Sequence, residues 1–167
     1  MSENATQMLH TYVSAKGLAK IDDWIAKYPA DQKQSAVMGA LTVIQEENSY
    51  LTDEAMTALA AYLDMAPIAV FEVASFYSMY ERAPVGRHVI GVCTNISCKL
   101  RDSAKIMSHL EKKLKINCGE TTADERFTLR SVECLGACVN APMMQIDKEY
   151  HEHLTQTGVD KILKKYK

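Results

Sequence analysis

Cys134-Leu135-Gly136-Ala137-Cys138-Val139-Asn140-Ala141-Pro142 is the stretch on which the reading of this chain turns. Two thiols stand with three residues between them, and Gly136 lets the intervening loop turn tightly. Just upstream, over residues 126–132, Phe127, Leu129 and Ser131 alternate with Thr128, Arg130 and Val132, which is the period of a strand. A second pair, Cys93 and Cys98, has four residues between its members and follows a β-branched apolar run at residues 88–92, a second strand. Both pairs therefore fall on loops at the C-terminal ends of strands, where a rigid sheet can gather their side chains. Four thiols in two close pairs are the ligand set of one metal centre.

Between the pairs, Ile106, Met107, Leu110 and Leu114 predict a helix over 103–114, with Asp102 or Ser103 as its N-cap. Residues 117–125 form a polar loop around Gly119. Beyond the second pair, 143–147 and 150–154 read as a hairpin turning at Lys148-Glu149. Thr155 or Thr157 caps a last helix that turns Val159, Ile162, Leu163 and Tyr166 inward, and Lys161, Lys164 and Lys165 suit its C-terminal dipole. Strand, helix, three strands and helix in that order give an α+β layer on a mixed sheet.

Upstream, residues 14–80 read as helical. Leu18, Ile21, Ile25 and Tyr28 repeat at helix spacing until Pro29, and Val37, Ala40, Leu41 and Ile44 form a second stripe. Met56, Leu59, Ala60 and Leu63 follow Thr52 as N-cap, with Asp53 and Glu54 in the first turn. Pro67 opens a short helix through Ile68, Val70, Phe71 and Val73. Such one-faced helices bury one another as a small bundle. Nothing in it carries chemistry: there is no acid or histidine pair at metal spacing and no nucleophile beside a base. Met38, Met56, Phe71 and Phe76 read as core. Pro84 and Gly86 break the pattern, so the expected domains are residues 1–84, the bundle and its connection, and residues 85–167.

A hydrophobic share of 47% with 24% charged residues is that of an ordinary globular chain, and no apolar run reaches the ~18 residues of a membrane span. Residues 1–11 lack a signal-peptide layout, so a cytosolic protein is expected, in which five cysteines do not imply disulfides. Residues 1–80 carry 4 Lys/Arg against 10 Asp/Glu, net −6, whereas residues 81–167 carry 15 against 11, net +4. That asymmetry is either solvated surface or a basic half that offsets an anionic centre or meets an acidic partner. No dense basic run with interleaved aromatics exists to indicate nucleic acid.

Thiolates select zinc, copper(I) or iron–sulfur clusters. Four-cysteine zinc sites favour C-x2-C knuckles, and a thioredoxin-like dithiol needs C-x-x-C, neither of which occurs here. The wider loop of the first pair suits something larger than one ion, and a [2Fe–2S] core takes two thiolates per iron. Helix 103–114 starts just after Cys98, and Gly136 can turn N–H groups toward sulfur, both favourable to an anionic cluster. Leu135, Val139, Met143 and Met144 are placed to exclude water or simply to fill a core. A structural zinc module is the remote alternative.

The cysteine pattern together with Val85-Gly86-Arg87-His88-Val89-Ile90, Gly119-Glu120-Thr121-Thr122, Arg126-Phe127-Thr128-Leu129, Ala141-Pro142-Met143-Met144, His153-Leu154-Thr155 and the helical Ala74-Ser75-Phe76-Tyr77 resembles the small iron–sulfur subunit of bacterial NADH:quinone oxidoreductase, respiratory complex I. The resemblance implies a thioredoxin-like ferredoxin domain behind the helical bundle, with one [2Fe–2S] cluster on Cys93, Cys98, Cys134 and Cys138. It implies electron transfer beside a flavoprotein subunit that binds NADH and FMN, together with a larger iron–sulfur subunit. It implies no complete active site on this chain and a cytoplasmic place peripheral to the membrane. NAD-linked hydrogenases and formate dehydrogenases have related subunits, which is the main alternative. Asp102 stands where many relatives have glycine, and Cys118 lies outside the family pattern, a spare thiol.

Overall fold

The apolar stripes upstream of Pro84 lie on helices in the computed structural model, which describes residues 3–166. Met1, Ser2 and Lys167, at the outer ends of the expected domain ranges, lie outside the described residues. The chain divides into two units, Met1–Pro84 and Val85–Lys167.

In the first unit the helices are α1 (Glu3–Leu9), α2 (Ala15–Ile25), α3 (Val37–Asn48), α4 (Asp53–Leu63) and α5 (Pro67–Phe76), with a 3-10 stretch at Ala30–Ala36. Side-chain caps fix two starts: Ser14 accepts from the Gly17 N–H for α2, and Thr52 from the Ala55 N–H for α4. The stripes meet in one core of Ile21, Ala40, Leu41, Ile44, Met56, Leu59 and Leu63. Tyr62 satisfies its hydroxyl at the edge of that core by donating to Asp22 Oδ1 at 2.6 Å. Three expectations fail. Ile68, expected on the buried face of α5, is 67% exposed. Helix α1 lies before the stretch read as helical; among its described side chains only Ala5 and Leu9 are buried, and it is too short to show a stripe. Phe76 is 79% exposed rather than core. Only Glu72 and Ser75 interrupt the apolar run of α5, so the sequence there does not say which side faces inward.

The second unit holds β1 (His88–Cys93), α6 (Ile96–Leu100), α7 (Ser103–Leu114), β2 (Phe127–Val132), β3 (Met144–Ile146), β4 (Glu149–His151) and α8 (Gln156–Leu163). The sheet order is β2-β1-β3-β4. Strands β1 and β2 run parallel, from His88 opposite Phe127 to Cys93 opposite Val132. A parallel pair needs a crossover, which α6 and α7 supply. The remaining pairs are antiparallel, so the sheet is mixed, as the sequence pattern requires. Ile90, Val92, Leu129, Met144 and Ile146 of the sheet pack with Ile106 and Leu110 of α7 and Val159 and Leu163 of α8. Thr155 is the cap of α8, accepting from the Gly158 N–H at 3.0 Å. The hairpin turns at Asp147-Lys148, one residue before the expected position. Asp147 takes a left-handed φ of +52° there, and its carboxylate holds the Val89 N–H at 3.0 Å and His88 Nδ1 at 2.7 Å.

Gly86 enters this unit against β2, donating its N–H to Thr128 Oγ1 at 2.7 Å. A Cβ at this position would stand 2.9 Å from the backbone N and C of Phe127, atoms that cannot move without breaking the β1–β2 ladder. Gly86→Ala should therefore destabilise the unit by about 1–3 kcal/mol. Denaturant melts check this, and an unchanged midpoint would show that the ladder gives way without cost.

Candidate metal centre

Parallel pairing sends the chain out of β1 and β2 at the same edge of the sheet. Cys93 is the last residue of β1, its partner Val132 is the last of β2, and Cys134 follows two residues later. The roots of both loops are clamped: Thr94 donates its N–H and its hydroxyl to the Val132 carbonyl, at 2.9 and 3.3 Å. The Cys93 N–H donates to the Met143 carbonyl at 3.2 Å, tying in the segment after the second pair. Cys98 rides on α6, a helix absent from the sequence-based expectation; Asn95 caps it, accepting from the Ile96 N–H at 2.7 Å. An Asn directly before an apolar residue is a helix-start signal, so that turn was within reach of the sequence.

Cys93 and Cys98 are buried together with Ala141 and Met143, and Leu135 and Ala137 of the second loop pack against this group. The residues between Cys134 and Cys138 thus lie against the pocket of the first pair. Cys134 and Cys138 themselves are exposed. Of the apolar residues expected to exclude water, Met143 is buried in this pocket and Leu135 half-buried, but Met144 belongs to the sheet core and Val139 is 91% exposed. Val139 lies on the single 3-10 turn Cys138–Asn140, too short to fold back on the pocket. Cys118 is exposed, its N–H held by Glu111 Oε1 at 3.1 Å.

Asp102 sits in the N-cap position of α7, but its side chain makes no cap bond. It pairs instead with Lys105 at 3.0 Å. Its φ of +68° is the left-handed region in which glycine is at ease.

The donor set suits an iron–sulfur group. Burial, with the Cys93 sulfur adding to it, pushes the Cys98 thiol up to about 11, so a cation is needed to hold it as thiolate. Gly136 has φ +78°, nothing lies within 4 Å of where its Cβ would stand, and its N–H points to Cys134 Sγ at 3.4 Å. That is an open cradle with a donor aimed at sulfur. Among the described residues no three His, Cys, Asp or Glu side chains gather around a single-ion position. Cys93 and Cys98 are buried and Cys134 and Cys138 exposed, and a [2Fe–2S] core takes two thiolates at each iron.

The chain belongs to the thioredoxin-like [2Fe–2S] ferredoxin family, whose model matches residues 21–167. Among characterised relatives it is similar to the NADH-quinone oxidoreductase subunit designated E in Rickettsia typhi, at 43% identity over 152 residues covering 90% of this chain and 89% of that one. It is also similar to mitochondrial NADH dehydrogenase [ubiquinone] flavoprotein 2 of Dictyostelium discoideum, at 41% identity over 91% of this chain and 62% of that one. A solved NAD+-reducing [NiFe]-hydrogenase shares the fold, with a TM-score of 0.67 and 24% identity over 78% of this chain and 22% of that one. Among the described residues no helix is long and apolar enough to cross a membrane.

Proposed function

We propose that the chain is the electron-transfer iron–sulfur subunit of an NADH:quinone oxidoreductase, with Cys93, Cys98, Cys134 and Cys138 holding one [2Fe–2S] cluster. The observation that carries this reading is the pair of cysteine loops leaving one edge of the sheet, their roots joined at Val132. When bound, the cluster supplies one-electron redox chemistry. The protein's own residues hold the sulfur ligands, keep water from Cys93 and Cys98, and direct the Gly136 N–H at Cys134. NADH and FMN belong to a partner flavoprotein subunit, and a larger iron–sulfur subunit accompanies the two. The assembly lies in the cytoplasm at the inner face of the membrane, with no insertion by this chain. An equivalent subunit of an NAD-linked hydrogenase is the second reading, supported by the shared fold at 24% identity. The 43% identity to a quinone oxidoreductase subunit favours the first.

In this reading residues 85–167 carry the electron and residues 1–84 serve assembly. A chain cut before Val85 should stay folded and, reduced with dithionite, give the electron paramagnetic resonance signal of one [2Fe–2S] centre, because metal ligation adds folding free energy to a small domain. A fragment that is soluble only with residues 1–84 present would contradict that division.

A further inference from the structure

Arg130 stands on the face of the sheet that carries Cys93. Ile90 and Val92 of β1, Leu129 of β2 and Met144 and Ile146 of β3 pack with α7 and α8. Alternation along the strands puts Gly91, Cys93, Arg130, Val132 and Gln145 on the other face. The register sets Arg130 beside Gly91, Gly91 beside Gln145 and Gln145 beside Tyr150. Cys93 and Val132 form the next pair on that face, at the end where the cysteine loops leave. Strand spacing and rise then place the Cα of Arg130 about 8 Å from that of Cys93. The ground between them is apolar. Val132 leans over Gly91 so closely that a Cβ there would stand 2.8 Å from its Cγ2. Arg130 is half-buried, and its Nε is buried.

A guanidinium keeps its charge at any working pH. The ionic side chains closest to the cysteines in sequence, Lys99, Arg101, Asp102 and Glu133, are exposed, where water and salt screen them. Asp147, in the turn after β3, is engaged by His88 Nδ1 and the Val89 N–H, at the end of β1 away from Cys93. A half-buried charge is screened much less, so Arg130 sets the sign of the field beside the buried thiols. A thiolate-ligated iron–sulfur group gains one negative charge when it is reduced, and a fixed cation favours that state.

We propose that the charge of Arg130 raises the reduction potential of the cluster and so eases its uptake of an electron. This rests on the electron-transfer reading above. The test is a potential titration of the cluster-loaded full chain with mediator dyes, followed by the paramagnetic resonance signal of the reduced form. The visible spectrum confirms the cluster in each variant. Arg130→Gln should move the ratio of reduced to oxidised cluster at a fixed potential about tenfold toward oxidised, a fall of about 59 mV for one electron. Arg130→Lys should keep the potential of the parent, and Arg130→Glu should fall about twice as far as Arg130→Gln. Arg130→Met, apolar and of similar length, takes the place of Arg130→Gln if that variant does not load a cluster. A neutral variant with the potential of the parent overturns the proposal. A fall in Arg130→Lys as large as in Arg130→Gln makes the residue one of packing rather than charge and overturns it too, as does loss of the cluster from both neutral variants. Each of these outcomes leaves the functional reading standing, because the parent holds its cluster. A parent chain that takes up no [2Fe–2S] cluster overturns the functional reading, and this role with it.

Discussion

Cys134→Ser should lose or strongly alter the visible absorption of the anaerobically purified protein, and Cys118→Ser should leave it unchanged. The same loss is expected for serine at Cys93, Cys98 or Cys138. A [2Fe–2S] core takes two thiolates at each iron, and serine offers a harder ligand in the wrong place. Cys118 lies on an exposed loop with its backbone engaged by Glu111, away from the pocket that holds Cys93 and Cys98. The four variants should also divide by stability once the cluster is removed. Serine at Cys93 or Cys98, which are 3% and 1% exposed, buries a hydroxyl among Ala141 and Met143 and should cost about 1–3 kcal/mol if it finds no partner. Serine at exposed Cys134 or Cys138 should change the apo fold by less than about 0.5 kcal/mol. Equal spectral loss in Cys118→Ser and Cys134→Ser would contradict the ligand set.

The second large effect is a failure to react. NADH should not reduce the isolated, cluster-loaded chain until the flavoprotein subunit is added. NADH gives up a hydride, which carries two electrons, and one [2Fe–2S] cluster accepts one. A flavin can take the hydride and release single electrons, and this sequence has no Gly-x-Gly-x-x-Gly or phosphate loop with which to bind a nucleotide. Rapid reduction of the flavin-free chain by NADH alone would overturn its role as an acceptor behind a flavin.

The alternation of Phe127, Leu129 and Ser131 and the β-branched run before Cys93 make β1 and β2 legible, and with them the edge where the cysteines lie. The parallel register that sets Cys93 beside Val132 is not legible, because no local pattern encodes which residues of two distant strands pair. Helix α7 can be read to its ends, since its apolar spacing is regular and a breaking segment follows it. Helix α6 is hidden because five residues are too few to show a period; only Asn95 announces it. Phe76 departs from expectation for a physical reason: in a helix with apolar residues on every side, composition suggests burial and gives no direction. The side chains holding the loops, Thr94 and Thr128 among them, act through contacts 38 and 42 residues away in sequence, beyond any local reading.

Iron and acid-labile sulfide analysis of the anaerobically purified full chain tests the central claim most directly. With two cysteine pairs that lack a C-x2-C knuckle, on loops that leave one end of the sheet, two irons and two sulfides per chain are expected. One zinc and no sulfide per chain would contradict the account and leave a structural metal module in its place.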